Sequence, residues 1–547
     1  MNVKVFRTLF VLYSWAFPRV LVHELRERRY HGLALLGWLW RAPHIRRSTA
    51  PLGLNDWWFV GLLRILMLAQ ISFAVWLFAE WARFGTPGTL EFGLALLLVY
   101  PIVTAHLLGM SALLGRLLFA VLHPKAFGRD VVCSILERQV RELRQKHHFT
   151  VVAVAGSIGK TSTKIAIAQL LAQTKRVRYQ TGNYNDRVTV PLVFFGQTEP
   201  SLLNVFAWLK VFAKNAQAVR RPYPYDVVVL ELGTDTPGQI AEFAYTRPDL
   251  AVVTAITPEH MHHFKTLDGV AAEELAIFDY SKQVLVNGDD TPAKYIAGRE
   301  FHDYSVTSPE ASYFAKTKAT KGGQSLNLQL SGQKMTTSSQ LLGLQGAKAA
   351  LAAAAVAHKL GVPAADIVAG LPRLEPFTGR MYSLPGKQGT WLIDDAYNAS
   401  PAAAKAALDV IYAHKAPQRI AILGSMNELG DYSPEAHQEV GAYCDPKKLQ
   451  LVVTIGKDAE QYLAPAAEAQ GCTVHSFRSP YEAGVFIAKK LQKNAVVLAK
   501  GSQNGVFAEE ALKPLLANPA DSTKLVRQSS YWLAKKRQQF PDSAGMQ

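Results

Sequence analysis

The chain has 547 residues, room for three or four domains at ~150 residues each. Apolar residues make up 49% and charged ones 19%, which excludes a disordered or low-complexity chain. The three cysteines, Cys133, Cys444 and Cys472, are too widely spaced for a disulfide framework or a CxxC metal knuckle.

Of the formal +16, residues 1–150 carry +10, from 18 basic and 8 acidic side chains. A basic, apolar N-terminus points to a membrane surface rather than to nucleic acid. Residues 3–22 are apolar but broken by Lys4, Arg7, Pro18 and Arg19, which predicts an interfacial helix. No small-residue cleavage site follows, so a removed signal peptide is not expected. Two stretches then have the ~20 residues a bilayer span needs: 57–80, interrupted only by Arg64, and 92–114, without formal charge apart from a protonatable His106. Trp57 and Trp58 at one end and Trp76 and Trp81 at the other suit interfacial belts, which favours spans over a buried hairpin of core helices. Arg19, Arg26, Arg28, Arg29, Arg41, Arg46 and Arg47 precede the first span, Arg116, Lys125 and Arg129 follow the second, and the connecting loop has only Arg83. The positive-inside rule places both flanks in the cytoplasm, making a multi-pass inner-membrane protein with its remaining domains cytoplasmic. Within 130–148, Val132, Ile135, Leu136, Val140 and Leu143 recur at helical spacing, predicting a linker helix after a membrane region of 1–129.

From Phe149 the pattern changes to short β-branched runs alternating with helical segments, the mark of a parallel α/β sheet. Strands are predicted at 150–155, 226–231, 250–256 and 283–287. After an alanine-rich helix around 347–360 and a Pro/Gly stretch at 372–389, a second series is predicted at 391–395, 419–424, 451–455 and 495–499. That gives two α/β domains, 149–378 and 379–530, and a polar, frayed tail at 531–547.

The first strand runs through Ala155-Gly156-Ser157-Ile158-Gly159-Lys160-Thr161-Ser162 straight into a helix. Such a turn aims backbone N–H groups and a helix N-terminus at phosphate, while the lysine reaches terminal phosphates and Thr161 can hold Mg²⁺. A full Walker spacing would put glycine at 154, where Val154 stands; strand before and helix after still favour phosphate binding over an ordinary glycine turn.

This shortened loop, read with later segments, resembles the Mur ligase family, ATP-dependent enzymes that build the peptide stem of peptidoglycan. The resemblance is closest to the branch that adds D-alanyl-D-alanine. It rests on Thr181-Gly182-Asn183-Tyr184-Asn185-Asp186 with Val190-Pro191-Leu192, Glu231-Leu232-Gly233 with Pro237-Gly238-Gln239-Ile240, and Thr257-Pro258-Glu259-His260. Gly379-Arg380-Met381, Asp394-Asp395-Ala396-Tyr397-Asn398-Ala399, Gly424-Ser425-Met426-Asn427-Glu428-Leu429-Gly430 and Lys500-Gly501-Ser502 follow in family order. The match covers about 150–510 and implies a P-loop-type central domain and a Rossmann-like C-terminal domain. It also implies an ATP-dependent amide ligase that joins a carboxylate-bearing peptide acceptor to an amino-acid or dipeptide amine through an acyl phosphate.

Phosphoryl transfer is chiefly positioning and charge neutralisation. The resemblance assigns Gly156, Ser157, Gly159, Lys160, Thr161, Ser162, Gln345, Arg380, Asp395 and Asn398 to the nucleotide. Thr161, Glu231 and His260 go to Mg²⁺, and Asn183, Asn185, Asp186, Asn427, Glu428 and Lys500 to the substrates. A zinc reading of His260, His262 and His263 lacks further ligands nearby.

Three positions depart from the family pattern. Aligning Gly269-Val270-Ala271 puts Glu274 where the family has a carbamylated lysine that binds a second Mg²⁺, so Glu274 joins the catalytic set of Lys160, Glu231 and His260. The adenine-holding His-Asn…Asn helix start corresponds to Gln345-Gly346 and Ala349. Between Leu114 and Val151 there is no room for the domain that holds the UDP end of the substrate; the membrane region stands in its place. A lipid-linked or polymeric acceptor thereby gains weight. The alternatives are a ligase extending a polyglutamate-type chain and a catalytically weakened membrane scaffold; a P-loop-powered transporter fits least.

Overall fold

A computed structural model of the protein describes residues 11–27, 35, 39, 54–320, 322–427, 429–503 and 505–541. The chain divides into two compact units, Met1–Val131 and Val132–Gln547.

The first unit contains helices α1 (Phe17–Glu27), α2 (Leu54–Phe84) and α3 (Thr89–Leu122), and the first residues of α4 (Pro124–Lys146). Two segments, Val60–Phe84 and Thr89–Leu114, are long and apolar enough to cross a membrane, with mean hydropathies of 2.0 and 1.9. Their inner faces meet α1: Phe17, Leu21 and Leu25 pack with Val60, Leu63 and Leu108. Arg64, the formal charge deepest inside the first segment, lies with its guanidinium 4.9 Å from the Trp15 ring centroid. Thr104 Oγ1 donates to Gln70 Oε1 at 3.5 Å across the helix pair. Ile65, Val75, Leu98 and Met110 point outward and are exposed. The helical part of the predicted interfacial segment is therefore a third packed helix in this unit, and residues 3–10 lie outside the described residues.

The second unit holds two sheets. The first has nine strands in the order β2-β3-β1-β4-β5-β6-β7-β8-β9: β1 (Thr150–Ala155), β2 (Val177–Arg178), β3 (Val227–Glu231), β4 (Leu250–Val253), β5 (Val284–Asn287), β6 (His302–Ser305), β7 (Tyr313–Thr320), β8 (Gly323–Leu330) and β9 (Gln333–Ser339). Strands β2 to β7 pair in parallel, and β7, β8 and β9 form an antiparallel meander. The parallel strands are buried on both faces, as their Val/Ile/Leu runs require. Helix α5 (Lys160–Leu171) packs on one face together with the alanine-rich helix 343–359, whose small side chains allow close approach. The other face is covered by α4 and by helix α6 (Thr189–Phe195), through Val140, Leu143, Val190 and Phe194.

The second sheet has the order β10-β11-β15-β12-β13-β14: β10 (Tyr382–Pro385), β11 (Trp391–Asp395), β12 (Arg419–Gly424), β13 (Leu451–Ile455), β14 (Val474–Phe477) and β15 (Val496–Lys500). All pairs are parallel except β10–β11. Strand order reverses between β11 and β12, on either side of β15, and ligands of such sheets bind outside the strand C-termini at a reversal.

The tail departs from the frayed segment predicted from its polarity. Residues Ser530–Gln539 form a helix whose Lys536 is fully buried, its ammonium 2.9 Å from Glu509 and 2.6 Å from Glu510. Arg527 pairs with Glu509 at 2.6 Å, and Trp532 and Phe540 pack edge-on against Phe507. A buried cation with two carboxylate partners is stable where a lone one is not, and that pairing docks the tail.

Candidate active site

The site begins where β1 ends. Val154 is still in the strand, opposite Glu231 of β3 in register, so the chain has no turn there for a glycine to serve. The turn starts at Gly156, with φ 122°; a Cβ there would stand 2.5 Å from Thr254 Oγ1 and 2.8 Å from the Ala255 nitrogen. Only glycine fits. Gly159, at φ 84°, closes the loop and caps α5. Thr254, just past β4, braces the loop by donating from Oγ1 to the Ile158 carbonyl at 2.6 Å, and Ser157 Oγ accepts from the Thr257 nitrogen at 2.8 Å.

Lys160 emerges from this loop into a cluster of acids. Its ammonium lies 3.6 Å from Glu259 and 3.7 Å from Glu274, and it donates to the Gly156 carbonyl. Burial would lower the lysine pKa, but Glu259, Glu274 and Glu231 together raise it, so Lys160 is charged. Glu274 is fully buried and accepts the Gly156 N–H at 2.7 Å through Oε2. Burial, with the adjacent Glu274 carboxylate, pushes Glu259 up to about 8 despite Lys160. Neither Glu259 Oε1 nor Glu274 Oε1 accepts a hydrogen bond. Buried carboxylate oxygens without donors are what a hard cation takes as ligands, and a cation's charge would draw off the proton that burial favours on Glu259, so these side chains fit Mg²⁺.

Glu231 lies at the end of β3. Thr161 Oγ1 donates to its Oε1 at 3.1 Å, Asn185 Nδ2 lies at 3.5 Å, and Lys164 pairs with its Oε2 at 2.9 Å. Lys164, one helical turn beyond Lys160, was not among the sequence candidates; its i, i+4 spacing places it on the same side of α5. His260, at φ 45°, pairs instead with Asp235 at 3.5 Å. Among the described residues, no three His, Cys, Asp or Glu side chains converge on one point. The structure therefore joins Thr161 with Glu231 and Lys160 with Glu274, and sets His260 beside Asp235.

Glu273, next to Glu274, faces another way. Helix α7 (Val205–Arg220) and then helix α8 (Leu267–Glu274) follow in the chain, and at the end of α8 Glu273 is buried. It accepts from the Gly238 and Ile240 nitrogens and from Thr234 Oγ1 at 2.5, 2.7 and 3.0 Å. It anchors the loop after Glu231.

The other sequence candidates divide. Asp186 Oδ1 accepts from the Val188 and Thr189 nitrogens at 2.9 and 2.8 Å, capping α6, while Asn183 is exposed. Ser162 is half-buried on the first turn of α5. Gln345 Oε1 lies beside the phosphate loop, 3.9 Å from where a Gly159 Cβ would be. Gly346 is sterically required, since a Cβ there would come 2.6 Å from the Leu341 carbonyl carbon. Ala349 is buried.

In the C-terminal sheet, Asp395 at the end of β11 accepts from the Met381 nitrogen at 3.1 Å and pairs with Lys500, at the end of β15, at 2.8 Å. Lys500 donates to the Asn398 carbonyl at 2.6 Å, and burial with help from Arg380 lowers its pKa. Arg380 stacks over the Tyr397 ring, 4.6 Å from its centroid. The Tyr397 hydroxyl pKa is raised by burial and by Glu231, against Arg380. The Asn427 backbone N–H donates to Ser502 Oγ at 3.0 Å, and Glu428 lies outside the described residues.

Comparison with known proteins agrees with this architecture. Residues 154–357 match the Mur ligase middle domain and 379–503 the Mur ligase glutamate ligase domain. The UDP-N-acetylmuramoyl-tripeptide–D-alanyl-D-alanine ligase of Escherichia coli (strain K12) is 27% identical over 386 residues, covering 69% of this chain and 79% of that protein. Its namesake from Bacillus subtilis (strain 168) is 26% identical over 402 residues, covering 71% and 81%. Among solved structures, MurF ligase from Thermotoga maritima in complex with ADP aligns with a TM-score of 0.58 at 23% identity, covering 70% of this chain and 83% of that one. MurF from Acinetobacter baumannii aligns at 0.56 and 23%, covering 67% and 77%. With both domain matches in order on the two sheets just described, the chain belongs to the Mur ligase family of ATP-dependent, amide-forming ligases.

Proposed function

We propose that the protein is a membrane-tethered amide ligase of MurF type, acting on a carboxylate-bearing peptide in peptidoglycan precursor synthesis. Its parts are a membrane region at 1–129, a linker helix at 130–148, an ATP-binding domain at 149–378 and an amine-substrate domain at 379–530. The observation that carries the reading is Lys160, held at the mouth of a glycine-enforced loop among Glu259, Glu274 and Glu231. ATP with Mg²⁺, when bound, would supply the phosphoryl group that turns the acceptor carboxylate into an acyl phosphate and leaves ADP; the amine's attack then forms the amide and releases phosphate and a proton. The loop N–H groups and Lys160 orient phosphate oxygens and neutralise their charge. Thr161, Glu231, Glu259 and Glu274 offer oxygen ligands to Mg²⁺, with His260 adjacent. Arg380, Asp395 and Lys500 lie at or near the C-terminal sheet's strand ends, Asp395 and Lys500 paired at 2.8 Å.

The tether is supported by two helices whose outward faces are apolar and exposed, where a hairpin of soluble core helices would have them covered. Arginine asymmetry supports cytoplasmic flanks. The test is ATP hydrolysis and product formation by the full chain with peptide carboxylates and D-alanyl-D-alanine, in wild type and Lys160→Ala. Lysine removal should lower turnover at least ~100-fold, since such contacts contribute several kcal/mol in the transition state. A Lys160→Ala protein with near-normal turnover overturns the assignment.

A further inference from the structure

Helix α7 has one face that the domain uses and one that it leaves bare. On the inner side Trp208 and Val211 pack with Val132, Cys133 and Leu136, Asn215 donates to Gln139 at 3.0 Å, and His147 meets the Val219 carbonyl at 3.0 Å. These contacts advance together along both helices, so α7 runs parallel to α4. Its N-terminal end lies beside the start of the second unit, on the helix that follows α3 in the chain with only His123 between.

On the outer side Leu203, Val205, Phe206 and Leu209 are 75%, 61%, 85% and 56% exposed, with Leu202 beside them at 37%. Elsewhere among the described residues of this unit, exposed large apolar side chains (Leu344, Tyr443, Val485 and Tyr531) stand singly. Contiguous apolar exposure marks an interaction surface. The segment from Pro200 to Tyr225 contains Lys210, Lys214, Arg220 and Arg221 and no acidic residue. An apolar ridge flanked by exposed lysines is complementary to an anionic lipid interface, where acyl chains take the ridge and phosphates the ammoniums.

We propose that the N-terminal end of α7 is a second bilayer contact, through which the ligase body itself sits on an anionic membrane. Leu203, Phe206 and Leu209 enter the interface while Lys210 and Lys214 meet lipid phosphates. The proposal rests on the membrane-tethered reading. It explains why the ridge lies at the membrane-proximal end of α4 in the chain and why α7 itself carries lysines and no acidic residue. A body held this way would meet a lipid-borne acceptor at the surface.

The full chain is suited to a direct test because Cys133, Cys444 and Cys472 are all buried, leaving an introduced surface cysteine to label. An environment-sensitive fluorophore is placed by Phe206→Cys, and by Tyr531→Cys as reference. The proteins are reconstituted in nanodiscs of phosphatidylcholine with phosphatidylglycerol and of phosphatidylcholine alone. The Phe206→Cys probe should be blue-shifted, and nitroxide lipids should quench it at least about twofold more than the reference, more so with phosphatidylglycerol. A probe at 206 as solvent-like as that at 531 overturns the proposal. So does a blue shift without lipid quenching, which marks a protein partner. Alkaline extraction separates the two readings: a chain released from membranes overturns the tether and this contact together, whereas a retained chain with an unquenched probe overturns the contact alone.

Discussion

Replacing Glu274 by glutamine tests the least conventional residue of the site. The amide keeps an oxygen for the Gly156 N–H, now at 2.7 Å, but removes the charge 3.7 Å from the Lys160 ammonium. At an effective dielectric of ~20, that pair has a gross attraction of about 4 kcal/mol. Glu259 remains at 3.6 Å to hold Lys160, and relief of carboxylate desolvation offsets part of the loss, leaving a net cost of about 1–2 kcal/mol. Glu273→Gln should destabilise comparably, by about 1–3 kcal/mol, because an amide NH₂ must then face one of the three donors that Glu273 accepts. Urea unfolding without nucleotide measures both. Magnesium titration of turnover separates them: Glu274→Gln should need more Mg²⁺ and turn over more slowly, whereas Glu273→Gln should keep the wild-type Mg²⁺ midpoint. Depletion of dissolved CO₂ should leave the wild-type enzyme unaffected, since Glu274 brings its own carboxylate. A Glu274→Gln enzyme with the wild-type Mg²⁺ midpoint would refute the idea that this side chain replaces a carbamylated lysine.

Reporter fusions at Arg47, Thr86 and Phe149 should place only the Thr86 fusion outside; an external Phe149 fusion sinks the topology. Lys536→Met should cost about 3–5 kcal/mol in urea unfolding, because it leaves Glu509 and Glu510 buried without their shared ammonium; a loss under about 1 kcal/mol would show that the tail does not hold the domain together. Asp394 is raised from 3.8 to about 7 by burial and by Glu509, so its contribution to folding is complete below pH 3.8 and is lost as pH rises through about 7. Asp394→Asn should flatten the fall in unfolding free energy between those limits, and an unchanged slope would mean that Asp394 does not titrate there.

The strands that carry the phosphate loop and the C-terminal sheet were legible because buried parallel strands are continuous Val/Ile/Leu runs; 150–155, 391–395, 419–424 and 451–455 coincide with β1, β11, β12 and β13. Strands β7 to β9 were not, because YFAKTKAT, GQSLNLQL and QKMTTSS are rich in polar residues and lack the continuous Val/Ile/Leu runs of the parallel strands, as suits an antiparallel extension with one solvated side. The acids around Lys160 were only half legible. Glu274 came from its place after Gly269-Val270-Ala271, but nothing local distinguishes Glu259 as half-buried or Glu273 as a loop anchor. Both depend on loops more than 30 residues away in one case and about 100 in the other. Lys536 read as one more cation in a basic tail, since its partners lie 26 residues earlier in the chain.

That docked tail also constrains how the protein is made. Domains tend to fold as they leave the ribosome, N-terminal parts first. Here the C-terminal sheet can be assembled through β15, yet Glu509 and Glu510 stay without the Lys536 ammonium until residue 536 has been synthesised. The domain is therefore finished only once the 530–539 helix has emerged, and a product that stops short of it carries two acids that favour staying in water. Chains that stop before residue 536 would be marked as incomplete by an unfinished interior open to proteases.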